Sequence, residues 1–547
     1  MTIEREAKFT VSPSFEMPPF DRTTKQFRCR PPRHEVLDAR YFDTDDLSLA
    51  RAGITLRYRT GDPVDTADAA VAADPAVAAV AAVVADPGGA PGTGGVWTVK
   101  LPIARSVDTL IRQEVTFSGP ATHVPTAAAD LVRVHARSRP LRQVSRLLTN
   151  RRINDVVDDA DAVVAQIVDD QVAVRSGRTV TDRFREIEIE IHLGGKRGDA
   201  LLKSLAAQLV DAGAGHDPAR PKLLRALGER ATAPADVQPE PIGRESDAGS
   251  PRADASKFVQ RTLATGVTAL LANDPWVRLT DEPEPVHALR VATRRLRSDL
   301  RTFSQLLDPN WTTSLRTELA WLGSSLGVVR ELDVLDERLQ DQRAQLPTGD
   351  QICVDELLHE LARQRVAARD AMLSDMRSRR YDDLIVMLVA AAGSPVFLAA
   401  AHKHLARRAR DVGLEFVRNT WHSLADAVRT ANQARDAGTD ETALHDIRIR
   451  VKRCRYATEA VVPLVARPAV RFAAGLAALQ RTLGDHHDAV AAEEWLRRTA
   501  STMPSLAVCC GELITLQRVE RSTIDQEWPM LWDAISEKRS RAWMHRK

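Results

Sequence analysis

Phe184-Arg185-Glu186-Ile187-Glu188-Ile189-Glu190-Ile191-His192 alternates carboxylates with isoleucines through three full periods. A period of two sends successive side chains to opposite faces of an extended chain, so this run reads as a β-strand with an isoleucine face and a glutamate face. Ile3-Glu4-Arg5-Glu6-Ala7-Lys8-Phe9 is built the same way, with Glu4, Glu6 and Lys8 on one side and Ile3, Ala7 and Phe9 on the other. Arg57 and Arg59 are spaced by two in the strand-length segment 54–59, as are Arg112 and Glu114 in 111–117, and Lys100 sits in 97–101. Charges on one strand face are ordinarily solvated. Three successive carboxylates on a bare face repel, however, unless cations or a metal neutralise them. Closing the strands with the charged face inward accounts for both signs, since carboxylates hold hard divalent cations while Arg and Lys grip phosphate oxygens. The implied ligand is a short, highly anionic phosphate chain, whose anhydride bond breaks more easily beside metal ions.

Working outward from these strands, residues 1–230 read as β-rich and residues 256–540 as helical throughout. Between them, 231–255 contains Pro234, Pro239, Pro241, Gly243, Gly249 and Pro251 among polar residues and reads as a linker. A stretch of Ala, Val, Asp, Pro and Gly at 61–95 separates two strand candidates and reads as a low-complexity insertion. The 547 residues carry 76 basic and 74 acidic side chains, a net charge of +2 that points to no partner by itself. The five cysteines form no CxxC pair, so neither disulfides nor a cysteine zinc site is expected. The charges of Glu4, Arg5 and Glu6 stand where a signal peptide would be apolar, and the apolar run 384–392 is cut by Gly393, Ser394 and Pro395. The expectation is a cytoplasmic protein with no membrane partner.

Glu4-Arg5-Glu6-Ala7-Lys8 resembles the ExExK signature of the CYTH domain, the triphosphate tunnel metalloenzymes. The likeness continues in order through Tyr41-Phe42-Asp43-Thr44, residues 49–59, Trp97-Thr98-Val99-Lys100-Leu101, Arg112-Gln113-Glu114 and Glu186 to Glu190. It implies a closed, antiparallel, eight-stranded β tunnel with flanking helices that binds a triphosphate with Mg2+ or Mn2+. Carried over by position, Glu4, Glu6 and Lys8 are the catalytic set. Glu4, Glu6, Glu114, Asp169, Glu186, Glu188 and Glu190 are the metal candidates. Lys8, Arg57, Arg59, Lys100, an arginine at 151 or 152 (Arg151 preferred) and Lys222 would hold phosphate, with Arg112 added from its spacing to Glu114. The family's late Ser-Lys stands here as Pro221-Lys222, which removes a hydroxyl beside the lysine.

In the helical half, residues 286–297 resemble residues 444–455, with His287 and His445 at an offset of 158 positions. A second pair of segments, 326–331 and 483–488, follows at nearly the same offset, which indicates an internal duplication into two helical bundles. At about 100° per residue, His287, Arg290, Arg294, Arg297 and Arg301 fall on one stripe, opposite Leu289, Leu296 and Leu300. His445, Arg448, Lys452 and Arg455 form the equivalent stripe. Ridges of like charge are disfavoured alone and would be relieved by a polyanion. Imidazoles beside arginines fit phosphate donation or helix capping better than metal ligation.

These repeats resemble the CHAD domain, which implies binding of inorganic polyphosphate by His287, Arg290, Arg294, Arg297, His445, Arg448, Lys452 and Arg455. The fold expected is therefore multidomain α+β, with an all-α region of two duplicated bundles after the tunnel. The function expected is metal-dependent hydrolysis of inorganic triphosphate or a related triphosphate, an inorganic triphosphatase-type reaction on phosphoanhydride bonds, coupled to polyphosphate binding. The alternatives are a non-catalytic polyphosphate-binding protein associated with granules, and an adenylate cyclase or thiamine triphosphatase using the same tunnel. Only 5% of residues are aromatic and none interleaves with the ridges, so nucleic acid is not an expected partner.

Overall fold

The structure, a computed structural model, describes residues 2–20, 27–60, 95–105, 110–216, 221–231, 233–237, 253–435 and 441–545. The expected insertion at 61–95 lies outside them except for Gly95, and most of the expected linker at 231–255 is outside them too. Contacts divide the chain into two units, Met1–Asp236 and Val237–Lys547.

The first unit contains one antiparallel sheet: β1 (Thr2–Val11), β2 (Arg28–Cys29), β3 (Arg33–Asp43), β4 (Thr55–Thr60), β5 (Val96–Arg105), β6 (Leu110–Phe117), β7 (Arg142–Val157), β8 (Val163–Ser176), β9 (Thr179–Ile191) and β10 (Gly215–His216). Among the described residues the sheet thus has ten strands, where eight were expected; β2 and β10 are two-residue additions on β7 and β1. Pairing runs β1–β6–β5–β4–β3–β7–β8–β9, and β9 pairs with β1 as well. In that last pairing Lys8 faces Glu188, Glu6 faces Glu190 and Phe9 faces Ile187. Directly opposed residues share a face, so the register gathers the charges of both strands on one side and their apolar residues on the other.

The apolar side explains why the register holds. Phe9, Ile187, Ile189 and Ile167 are fully buried against Leu201, Leu205 and Leu209, which recur at one-turn spacing on the helix Gly195–Asp211. Each such side chain contributes roughly 1.5–3 kcal/mol on burial, and a slip by one residue would exchange the isoleucines for glutamates. In order, the helices of this unit are α1 (Ser48–Arg51), α2 (Thr126–Ala136), α3 (Gly195–Asp211) and α4 (Lys222–Leu227). Asp43 organises the start of α1, its carboxylate accepting from the backbone N–H groups of Thr44, Leu49 and Ala50 at 2.7–2.9 Å. Leu223 of α4 is buried with Ala39, Tyr41, Leu147, Val172 and Val174, which fixes where Lys222 points.

The second unit is helical: α5 (Ala255–Leu279), α6 (Pro283–Thr302), α7 (Pro309–Arg343), α8 (Gln351–Arg377), α9 (Arg379–Gly393), α10 (His402–Leu405), α11 (Ala409–Arg435), α12 (Glu441–Val465), α13 (Arg467–Thr502), α14 (Ala507–Ser536) and α15 (Lys538–Arg541). The run α5 to α8 has lengths of 25, 20, 35 and 27 residues, and α11 to α14 has 27, 25, 36 and 30. Leu335, Leu339, Leu357 and Leu361 of the first run and Trp495, Leu496 and Leu513 of the second share one core. Leu289, Leu296 and Leu300 are buried, as the stripe on α6 requires. No described helix is long and apolar enough to cross a membrane.

Candidate functional site

Two charged sites result, one in each unit. In the first, the even-spaced polar residues of β1, β4, β5, β6, β7, β8 and β9 converge with Lys222 of α4. Lys8 is buried; its amine pairs with Glu188 and lies 3.5 Å from Glu6 and 4.0 Å from Glu186. Arg112 pairs with Glu6. Glu114 is held by Lys100 at 2.9 Å and by Arg57 at 3.5 Å. Arg151 meets Asp170 in a two-pronged contact of 2.9 and 2.8 Å and reaches Glu188 at 3.5 Å. The Lys222 amine lies between Asp170, Glu188 and Glu186 at 2.8, 2.8 and 3.0 Å.

Burial by itself would drive Lys8, Glu114, Arg151, Asp170, Glu188 and Lys222 toward their neutral forms, yet the ion pairs override it. Burial raises Glu114, but Lys100 and Arg57 together bring it down to about 2. Against the same opposing effect, Lys222, Lys8 and Arg151 hold Glu188 well below the usual carboxylate range, and Lys222 with Arg151 lowers Asp170. Lys222 and Arg151 are raised well above their ordinary values by the carboxylates that outweigh their own burial. Lys8, Glu114, Arg151, Asp170, Glu188 and Lys222 are therefore held in their charged forms, with both signs side by side.

One carboxylate oxygen from each of Glu6, Glu188 and Glu190 lies within 4.8 Å of the other two. An all-oxygen donor set of this kind suits a hard divalent cation such as Mg2+ or Mn2+. Glu114 and Glu186 lie outside this trio, Glu114 with Lys100 and Arg57 and Glu186 with Lys222 and with Arg225 at 3.3 Å. The metal assignment of Asp169 is corrected. Asp169 pairs across the sheet with Ile187 on the apolar face, where Arg185 binds it at 2.9 and 2.8 Å. Asp170, opposite Glu186, takes the interior place. With two adjacent aspartates the sequence does not declare which one faces inward. Of the alternatives 151 and 152, Arg151 is the inward one, while Arg152 is exposed. Glu4 lies on β1 opposite Arg112, and its side chain is outside those described. Arg225 was not foreseen; its spacing of three from Lys222 on a helix was the available signal.

In the second unit the two cationic stripes converge instead of facing solvent separately. Arg294 donates to the Tyr456 hydroxyl at 3.1 Å, tying α6 to α12. Arg290 reaches the Gly327 carbonyl at 3.3 Å and Glu331 at 3.2 Å on α7. Burial, then Arg448, Arg294 and Arg290, pulls the Lys452 amine down to about 6, with only partial relief from Asp488. Burial also lowers Arg290 and Arg448. The His445 and His487 rings lie 5.6 Å apart and line a pocket with Leu444, Arg448 and Leu483. Burial, then Arg448 and His445, holds His487 at about 4, and burial with Arg330 lowers His287. Arg455 departs from the expected ridge: it donates to Glu459 at 2.7 Å, an i,i+4 partner visible in the sequence. Arg297, with Arg301, adds to the effect of burial in lowering Arg316 of α7.

Residues 261–497 match the CHAD domain. The Mycobacterium tuberculosis protein MT2285 (strain CDC 1551 / Oshkosh) is 30% identical over 524 residues, covering 91% of this chain and 89% of its own. Among solved structures, the CHAD domain from the plant Ricinus communis is 26% identical, covering 55% of this chain and 94% of its own, with a TM-score of 0.43. HpAC1 from Hippeastrum, described as an adenylyl cyclase candidate with a dominant triphosphatase activity, is 15% identical over 40% of this chain and 94% of its own, with a TM-score of 0.24.

Proposed function

The chain belongs to the family of its mycobacterial relative and carries a CHAD domain, and from this premise we propose that it hydrolyses inorganic triphosphate or a related triphosphate in its first unit and binds inorganic polyphosphate in its second. The observation that carries the proposal is the interior lattice of Lys8, Arg57, Lys100, Arg112, Arg151 and Lys222 interleaved with Glu6, Glu114, Asp170, Glu186 and Glu188. In this reading the circuit from β1 round to β9 and back is the wall of an eight-stranded tunnel, with β2 and β10 as fringes.

Phosphate oxygens take the place of carboxylates at Lys8, Lys100, Arg151 and Lys222, which fixes the chain along the tunnel and stabilises charge on the leaving phosphate. Glu6, Glu188 and Glu190 would hold a divalent cation, which when bound supplies Lewis-acid polarisation of the phosphoryl group. Arg112, bonded to Glu6, fixes that carboxylate's orientation. The described side chains that line the proposed tunnel are charged, which favours inorganic triphosphate over adenylate cyclisation. Joining the two activities in one chain raises the local concentration of phosphate polymer around the tunnel.

The test is a pair of variants on the full chain. Glu6→Gln with Glu188→Gln is expected to abolish Mg2+- or Mn2+-dependent phosphate release from tripolyphosphate while polyphosphate binding persists. Arg290, Arg294, Arg448 and Lys452 changed to Ala should do the reverse. Absence of phosphate release from the unaltered protein with either metal, with binding retained, refutes the enzyme reading in favour of a binding protein.

A further inference from the structure

The two repeats of the helical unit differ at one position in a way that leaves a place for an anion. Positions 158 apart correspond: Arg295 with Arg453, Arg297 with Arg455, and Arg301 with Glu459. In one half of this arrangement Glu459 is the centre of an ion-pair triad, bonded to Arg455 at 2.7 Å on its own helix and to Arg295 of α6 at 3.2 Å. At the corresponding positions stand Arg301, Arg453 and Arg297, with Arg297 one turn before Arg301 on α6. The carboxylate that balances one half is thus replaced by a guanidinium in the other.

Arg316 of α7 adds a further cation to this second half. Its Nε is buried without a hydrogen-bond partner. Burial lowers Arg316, and Arg301 and Arg297 add to the effect. Burial and then Arg301, Arg450 and Arg316 bring Arg453 down to about 10. Asp446, which offsets this slightly, is already bound by Arg450 at 2.8 Å. Among the described residues none of Arg297, Arg301, Arg316 and Arg453 forms a salt bridge, whereas Arg295 and Arg455 both do. Arg297 and Arg301 are exposed at the rim and Arg316 and Arg453 half-buried behind them, so an anion can enter from solvent.

We propose that Arg297, Arg301, Arg316 and Arg453 form an anion site for a phosphate group of an inorganic phosphate chain, which stands where Glu459 stands in the other half. This rests on the polyphosphate reading of the helical unit and extends it. Arg290, Arg294, Arg297 and Arg301 run along one stripe of α6 for about 16 Å at 1.5 Å per residue. A long chain can therefore engage the Arg290–Lys452 group and this site together, and a triphosphate only one of them. Engaging both on one polymer converts the second contact into an intramolecular step.

The test is Arg301→Glu in the full chain, which copies the Glu459 arrangement and fills the site with the protein's own carboxylate. Unfolding temperature should hold or rise without ligand. Affinity for long-chain polyphosphate should fall roughly tenfold at physiological salt, and the slope of log K against log salt should shrink by about 1. Tripolyphosphate affinity at the central group should change little. Arg316→Gln, which leaves the rim intact, should weaken long-chain binding in the same direction. Wild-type affinity and salt slope in both variants overturn the proposal. So does a loss of long-chain and tripolyphosphate binding by equal factors, which would mean a general loss of charge. If the unaltered chain binds no polyphosphate at all, the broader reading of the unit fails instead.

Discussion

Lys452 offers the sharpest test of the helical site, because in the anion-free protein the fold holds it in the wrong protonation state for gripping an anion. Burial and the neighbouring Arg448, Arg294 and Arg290 take its amine from 10.5 to about 6, against a small opposing pull from Asp488. At 1.36 kcal/mol per pH unit, that difference is worth about 6 kcal/mol in total. The sign follows from linkage. Between about pH 6 and 10.5 the unfolded chain carries this proton and the folded chain does not, so this group makes stability rise with pH by about 1.4 kcal/mol per unit. At pH 7.5 the neutral amine costs about 4 kcal/mol relative to a lysine free to stay charged. A polyphosphate chain arriving beside Arg448 and Arg290 cancels the repulsion and restores the proton. Binding at pH 7.5 should therefore take up close to one proton at this position. Calorimetric titration with long-chain polyphosphate in two buffers of different ionisation heat measures that uptake, and the same titration on Lys452→Arg subtracts protons belonging to the ligand's own termini. Lys452→Met should unfold several degrees higher than the parent without ligand and bind polyphosphate more weakly. Equal proton uptake in the parent and in Lys452→Arg, or a lower unfolding temperature for Lys452→Met, would refute the reasoning.

Two further outcomes concern the first unit. Asp170→Asn should cut phosphate release from tripolyphosphate by at least about tenfold by removing one of the carboxylates that position Lys222 and Arg151, whereas Asp169→Asn should leave kcat within a factor of about three and lower stability by about 1–3 kcal/mol; steady-state assays with urea unfolding separate the two. Glu114, held at about 2 against an ordinary 4.5 by Lys100 and Arg57 in spite of burial, contributes about 3 kcal/mol that is present above pH 4.5 and lost as pH falls toward 2. The stability gap between the parent and Glu114→Gln should be constant from pH 7 to 5 and narrow below it.

How far such sites could be read from sequence depended on whether periodicity or pairing decides them. The run Glu186 to Ile191 declares its own two faces, and Glu6 and Lys8 declare theirs, so the charged interior was legible strand by strand. The strands β3, β7 and β8 were not picked out by alternation. In β8, Val163 to Val168 carries a single polar residue, Gln166, and Asp169-Asp170 puts a carboxylate on each face, so no period of two stands out. Only the register opposite Glu186 shows that Asp170 faces inward. In the helical unit, the stripe on α6 and its repeat on α12 followed from a period of 3.6. Their convergence did not, since helical geometry fixes which side chains share a stripe but not what the stripe faces. The departure of Arg455 could have been read from Glu459 one turn on.

The ion pairs of the charged site in the first unit bear on how the proposed tunnel would fill. Lys8 is satisfied by Glu188, Lys100 by Glu114, and Lys222 by Asp170 and Glu188, so a phosphate oxygen that reaches these lysines must displace a resident partner. A phosphate chain arriving alone would claim the lysines and strand the carboxylates, each buried charge then costing several kcal/mol. A divalent cation arriving alone at Glu6, Glu188 and Glu190 would strand Lys8 in the same way. Arriving together, the two exchange partners with the lattice and leave neither sign uncompensated. Cation and phosphate chain must therefore raise each other's affinity by the same factor, since coupling between two ligands is reciprocal. Under the proposed function the Lys8–Glu188 pair, buried and facing across β1 and β9, is where that coupling would be strongest, because it would join an amine that grips phosphate to a carboxylate that holds the cation.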